Sequence, residues 1–216
     1  MTMPNNKDDA KQKKSKTTKS KTTKSKTQKT KIPKPKKNSK GEIVFSDYPS
    51  FRPNLTPREI FLKGSFGGTY WRPIFSQITG KNYKNKHKKY PKSWWKNIPN
   101  NWLTNDWEKY DKSINTYKVE VGTTLEFWES KNWISEYQPY GWVQWYCDFY
   151  NGKRGPDDKR QIGRWGRTAG PRSRFRRMLI NLIKKKGTTY DDFSVSPKVR
   201  QTLQHWGYIL TKRDFV

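Results

Sequence analysis

Eight of the chain's thirteen arginines lie between Asn151 and Arg177, in NGKRGPDDKRQIGRWGRTAGPRSRFRR, where only Asp157 and Asp158 oppose them. A guanidinium is a permanently charged planar fork that fits two phosphate oxygens, or the edge of a guanine, at once. The residue types therefore point to holding a polyanion. Arg154, Lys159, Arg160, Arg164, Arg167, Arg172, Arg174, Arg176 and Arg177 are the candidate ligands. Phosphate contact is expected more than base reading, because most contacts to nucleic acid go to its backbone. Four arginines between 172 and 177 cannot all face one groove, so at least one is expected to point elsewhere.

Two further segments carry weaker versions of this chemistry. Lys81–Lys96, KNYKNKHKKYPKSWWK, interleaves seven lysines with Tyr83, Tyr90, Trp94 and Trp95 and contains no acid. Lysines beside rings suit single-stranded nucleic acid, whose bases stack while its phosphates pair. Lys86, Lys88 and Lys89 are the candidates there, with a solvated loop whose tryptophans turn inward as the equal alternative. Near the C-terminus, Arg200, Gln201 and Gln204 are read as the outer face of a last helix, together with Lys198 and His205, and amides of this kind can address bases.

Catalytic chemistry finds little support. His87, His205 and Cys147 are the only such residues, too few for the usual zinc set. The Gly67–Gly68 pair in GSFGGTYWRPI lacks the Lys-Ser/Thr of a P-loop and reads as a turn beneath packed rings. Glu126 with Glu129, or Asp157 with Asp158, could hold magnesium, but helix capping and helix-end electrostatics explain them with less assumption. No catalytic residue, cofactor or metal is assigned, and no small-molecule substrate is expected.

The elements that must position the arginines are mostly helical. Gly141–Tyr150 places rings at 142, 145, 146, 149 and 150, the spacing of a buried helix face. Asp157 is a candidate cap for a helix to about Trp165, and Arg167–Gly170 is a short turn. Pro171 suits the start of a helix to Lys186, whose apolar stripe is Phe175, Met178, Leu179, Leu182 and Ile183. A helix, a turn with glycine and a helix basic at its N-terminal half is the outline of a helix-turn-helix. Ser196 and Pro197 start the last helix. Upstream, Thr56, Pro57 and Glu59 form a capping-box helix start, Thr123 with Glu126 repeats it, and Gly41–Phe45 and Tyr117–Val121 read as strands. Trp102–Tyr110 reads as a short helix.

The balance of the chain agrees with a polyanion partner. Net charge is +29 over 216 residues, with 33 aromatic side chains, eleven of them tryptophan. Such an excess repels itself unless a polyanion neutralises it. Residues 1–40 hold fifteen lysines against two aspartates, in a recurring KSKTT unit from Lys14, and residues 41–216 hold 32 cations against 16 acids. The first segment cannot bury enough apolar surface to order itself and is expected to be a disordered basic arm. The second is expected to be a single aromatic-rich domain, mainly α, with a few short strands making α+β the variant. Large rings can build its core where aliphatics are scarce. Cys147 alone forms no internal disulfide, and no apolar run has the length of a membrane span or signal peptide. An intracellular protein without a membrane partner is expected, of open oligomeric state.

PNLTPREIFLKGSFGGTYWRPI at 53–74, YGWVQWYCDFYNGKRGPDDKRQIGRW at 140–165 and VSPKVRQTLQHWGY at 195–208 resemble, in order, blocks of a family of uncharacterised proteins from large DNA viruses of protists and from some algae and fungi. The resemblance implies no activity or catalytic residues. It implies a viral or protist setting, with a virus factory, virion or nucleus as the location and DNA before RNA as the ligand. Genome condensation or packaging follows from it. The alternatives are a structural virion or scaffold subunit that meets acidic protein, and a nucleic-acid-processing enzyme.

Overall fold

The computed structural model describes residues 32–215. The KSKTT repeats lie outside the described residues. The fold is mainly α, with six α-helices and two two-stranded antiparallel sheets. Among the described residues no helix is long and apolar enough to cross a membrane.

Strand β1 (Lys36–Lys37) pairs antiparallel with β2 (Ile43–Val44). The described fold thus reaches N-terminal of the boundary expected at Gly41. The Asn38 carboxamide closes the turn by accepting the N–H groups of Lys40 and Glu42, each at 2.9 Å. Lys37 reaches Glu59 at 2.8 Å. Helix α1 (Pro57–Leu62) starts with the Thr56–Glu59 capping box.

The loop Gly64–Gly68 organises the middle of the chain. A Cβ on Gly67 would lie 2.6 Å from the Tyr110 ring, and one on Gly68 2.4 Å from the Asn101 carbonyl. Both have positive φ, so only glycine fits this close approach. The segment wrapped around it takes its hydrogen bonds from the loop. Asn105 N donates to Gly68 O, Asp111 N to Gly67 O and Thr116 N to Gly64 O, while Asn115 Oδ1 accepts from Gly67 N. With those backbone groups satisfied externally, no ladder forms. The helix expected over Trp102–Tyr110 is therefore two 3-10 turns, Asn100–Trp102 and Trp107–Lys109, and the strand expected at Tyr117–Val121 is irregular. A hairpin of β3 (Ile74–Ser76) with β4 (Lys81–Tyr83) occupies residues expected in part as loop. Helix α2 (Leu125–Ser130) is capped by Thr124 rather than Thr123, the Thr124 hydroxyl accepting from Phe127 N.

Helix α3 (Trp142–Tyr150) is the centre of the molecule, with all residues from Trp142 to Phe149 buried. Phe51 sits among its rings, 5.6 Å from Trp145, 5.7 Å from Tyr146 and Phe149, and 5.1 Å from Trp165. The core is thus built from aromatic rings packed at tilted and edge-on angles, which the ring quadrupoles favour. Cys147 is fully buried in it, and burial raises its thiol pKa. The start of α3 has no capping side chain. Instead Gln144 N donates to the Tyr70 hydroxyl, and that hydroxyl donates to Tyr140 O at 2.6 Å.

Helix α4 (Asp158–Thr168), the connection 169–173 and α5 (Arg174–Lys186) follow. Asp157 makes no capping bond. Its carboxylate accepts from the Arg160 guanidinium and from Gln161 Nε2, each at 2.8 Å. Asp158 is buried and accepts from Trp145 Nε1 and Gly155 N. The turn is tight enough that a Cβ on Gly170 would meet the Gly166 carbonyl at 2.5 Å. Ser173, not Pro171, starts α5, its hydroxyl accepting from Arg176 N. Arg172 therefore belongs to the connection. Helix α6 (Pro197–His205) closes the domain.

Candidate nucleic-acid interface

The arginines of the 154–177 segment divide into two groups. Arg154 donates to Asp47 at 2.6 Å and to Phe149 O at 2.8 Å, with its guanidinium 3.6 Å from the centre of the Phe149 ring. Arg160 is held by Asp157 and Arg176 by Asp214. The expectation that these three present free guanidiniums is corrected: each is neutralised by a carboxylate of its own fold. Lys159, Arg167, Arg172, Arg174 and Arg177 are exposed and have no hydrogen-bond or ion-pair partner among the described residues. They form the second group.

On α5, Arg174, Arg177, Asn181 and Lys185 line one open groove with Met178 and Leu182. The spacing of these residues puts them on a single helix face. The apolar stripe expected to be buried is only half so. Leu179 and Ile183 are buried, while Phe175 and Leu182 are exposed.

Arg164 is intermediate between the groups. It donates to Trp133 O at 2.8 Å and to Gln161 Oε1 at 3.0 Å, and its guanidinium lies 5.3 Å from the centre of the Trp206 ring. Burial, reinforced by the positive charges of Arg160 and Arg167, lowers its pKa to about 10. It remains a cation at neutral pH, in a setting that favours an anion beside it.

Arg164 and Arg167 stand on the wall of a cleft of about 530 Å³. Most of its other walls are rings, among them Phe66, Phe127, Trp133, Trp142, Phe175 and Trp206, with Val121, Ile134 and Val143 between them. Thr123, Thr202 and His205 add polar groups, and no carboxylate among the described residues lines it. His205 Nε2 accepts the Phe66 N–H at 3.2 Å, which leaves the ring proton on Nδ1. Burial pushes the His205 pKa down to about 3, so the ring is neutral. Sequence patterning does not mark this cleft, because its walls come from well-separated segments that only the tertiary fold brings together.

The secondary candidates are largely displaced. Lys88 is exposed, and Lys86 lies 4.7 Å from the Tyr83 ring centre. Lys89 pairs with the buried Asp148 at 3.1 Å. Trp94 and Trp95 pack against the core, so that segment's rings turn inward. The outer face expected for α6 is in fact its inner one. Arg200, Gln201 and Gln204 are buried, as is His205. Gln204 Nε2 donates to Gly64 O and Ser65 Oγ, each at 2.9 Å, and Gln201 Oε1 accepts from Tyr117 N at 3.1 Å. Arg200 donates to the carbonyls of Val195, Tyr190 and Asp192. A polar helix face is buried when loop backbone supplies its partners.

Glu129 is likewise engaged, accepting from Ser76 Oγ and Gln77 N. Among the described residues no three His, Cys, Asp or Glu side chains gather where they could hold a metal ion. Comparison with known proteins returns no matching family model, no matching curated protein and no matching solved structure.

Proposed function

We propose that this chain binds nucleic acid, chiefly through phosphates. The observation that carries the reading is the group of exposed cations on α4, the connection and α5 that have no counter-ion among the described residues: Lys159, Arg167, Arg172, Arg174 and Arg177. Cations of one sign gathered on neighbouring elements raise the local potential and draw a polyanion, and α5 offers a helix face that a groove or backbone can approach. DNA is the ligand proposed before RNA. In the setting of a large DNA virus, the biological task is genome condensation or packaging.

Alanine at Arg172, Arg174 and Arg177 together tests this. Affinity for duplex DNA falls more than on removal of residues 1–31, which leaves β1 in place, if the folded surface leads binding. The reverse ranking moves the function to the tail.

Met178 and Leu182 on the same groove favour a second reading, a virion or scaffold subunit docking on acidic protein. Nucleic acid that co-purifies and leaves at high salt supports the first reading. An acidic protein that co-purifies in its place supports the second.

A further inference from the structure

We infer that the aromatic cleft receives one unpaired nucleobase of the bound strand, with the phosphate of that nucleotide beside Arg167. The inference rests on the nucleic-acid reading above and adds what the phosphate face alone does not require.

The walls have the chemistry of a base site. Every base has a π-face, so aromatic walls bind bases without demanding a sequence. Trp142 and Trp206 lie with ring centres 4.8 Å apart, already packed together as one wall. Trp133 and Phe127 stand opposite solvent, 43% and 42% exposed, and meet edge to face at 5.8 Å. Arg164 bridges the two sides, within 6.0 Å of the Trp133 ring centre and 5.3 Å of that of Trp206.

The polar groups are those a nucleotide needs. Two guanidiniums, with no carboxylate on the walls among the described residues, select an anion over a neutral apolar ligand. His205 presents Nδ1–H, which has no partner among the described residues, as a donor for a base edge. The volume lies in the range of about 300–1,000 Å³ typical of small-ligand clefts.

Two further observations agree. Phe66, on the cleft wall, holds φ at 64°, a left-handed conformation costly for a side-chain-bearing residue. Its N–H on His205 and its ring, 3.9 Å from the His205 ring centre, keep it there. Strain of this kind persists where surrounding structure fixes the site in advance. Moreover, Phe175 lines the cleft from the first turn of α5, next to Arg174 on the open groove. The cleft wall and the α5 cations are thus carried by consecutive residues at the start of one helix. A base within an intact duplex stays in its stack, so the cleft favours single strands or locally unpaired sites.

The test uses the full chain and two short duplexes labelled for anisotropy. One carries a single unpaired 2-aminopurine in a bulge, and the other carries it fully paired. The bulged 2-aminopurine is expected to be quenched on binding, by stacking on the rings. Affinity for the bulged duplex is expected to exceed that for the paired one by about tenfold. Trp133→Ala and Phe127→Ala, both at exposed positions, remove the quenching and the preference while leaving paired-duplex affinity within about twofold. Binding without quenching overturns the base site and leaves the phosphate reading standing. Quenching that survives the Trp133→Ala, Phe127→Ala double variant places the base away from these two rings and also overturns it. Absence of binding to either duplex overturns both readings.

Discussion

Arg176 Nε donates to the Asp214 carboxylate at 2.7 Å, with its guanidinium 4.1 Å from the centre of the Tyr208 ring. The Asp214 side chain is 1% exposed and also accepts from the Tyr208 hydroxyl and Thr211 N. This contact ties α5 to the C-terminal turn. It makes Arg176 a structural residue within a run whose neighbours face solvent.

Arg176→Ala leaves a buried carboxylate without its counter-ion, which costs roughly 3 kcal/mol. That corresponds to a melting temperature lower by about 6–12 °C for a domain of this size. Arg177→Ala, one residue on, is expected to shift melting by no more than about 2 °C and to weaken nucleic-acid binding instead. Thermal melts and binding titrations of the two variants check this. Equal effects on both properties contradict the division.

Arg200 donates to three loop carbonyls, at 2.8–2.9 Å. Arg200→Ala strands those acceptors and is expected to cost about 3 kcal/mol, since hydrogen bonds from a charged donor contribute roughly 1.5–3 kcal/mol each and loop relaxation recovers part. Arg200→Lys does not restore it, because an ammonium lacks the planar fork. Denaturant midpoints measure the loss. Affinity per folded molecule should be unchanged, and a fall in it would place Arg200 back at the interface.

His205 gives the fold an acid limit. Its folded pKa, about 3, lies below the ordinary histidine value near 6.5 because burial disfavours the imidazolium. Above about pH 6.5 both folded and unfolded states are neutral at this site, and its full stability is present. Between about pH 6.5 and 3 the unfolded chain takes up a proton that the fold excludes. Stability then falls by about 1.4 kcal/mol per pH unit. Burial, and secondarily Lys88, also lowers the pKa of His87, which adds in the same direction. His205→Gln keeps a carbonyl able to accept the Phe66 N–H and removes the titration. Urea unfolding from pH 7 to 4.5 should show the slope of stability against pH reduced by about one proton in the variant. An unchanged slope would mean that His205 titrates freely in the folded state.

The parts of this fold legible in the sequence are those set by neighbours in the chain. The Thr56–Glu59 box, the ring spacing of α3 and the end of α5 at Lys186 all formed as local pattern dictates. What was not legible depends on distant partners. Arg154 is neutralised by Asp47, 107 residues away, and Gln204 is buried by Gly64, 140 residues away. No window along the chain contains both members of either pair. A polar helix face therefore reads as solvent-exposed when its true partner is a loop backbone. The same reason hid the cleft, whose rings look like core until their free faces are seen together.

The most direct measurement of the central claim is the salt dependence of DNA affinity for the intact chain and for the chain with Arg167, Arg172, Arg174 and Arg177 changed to alanine. Each phosphate neutralised contributes about −0.9 to the slope of log affinity against log salt. If these four arginines hold phosphates, the slope of the variant is shallower than that of the intact chain by about 3 to 4. Parallel slopes for the two proteins, or a flat response from the intact chain, would contradict a phosphate-binding surface on α4 and α5.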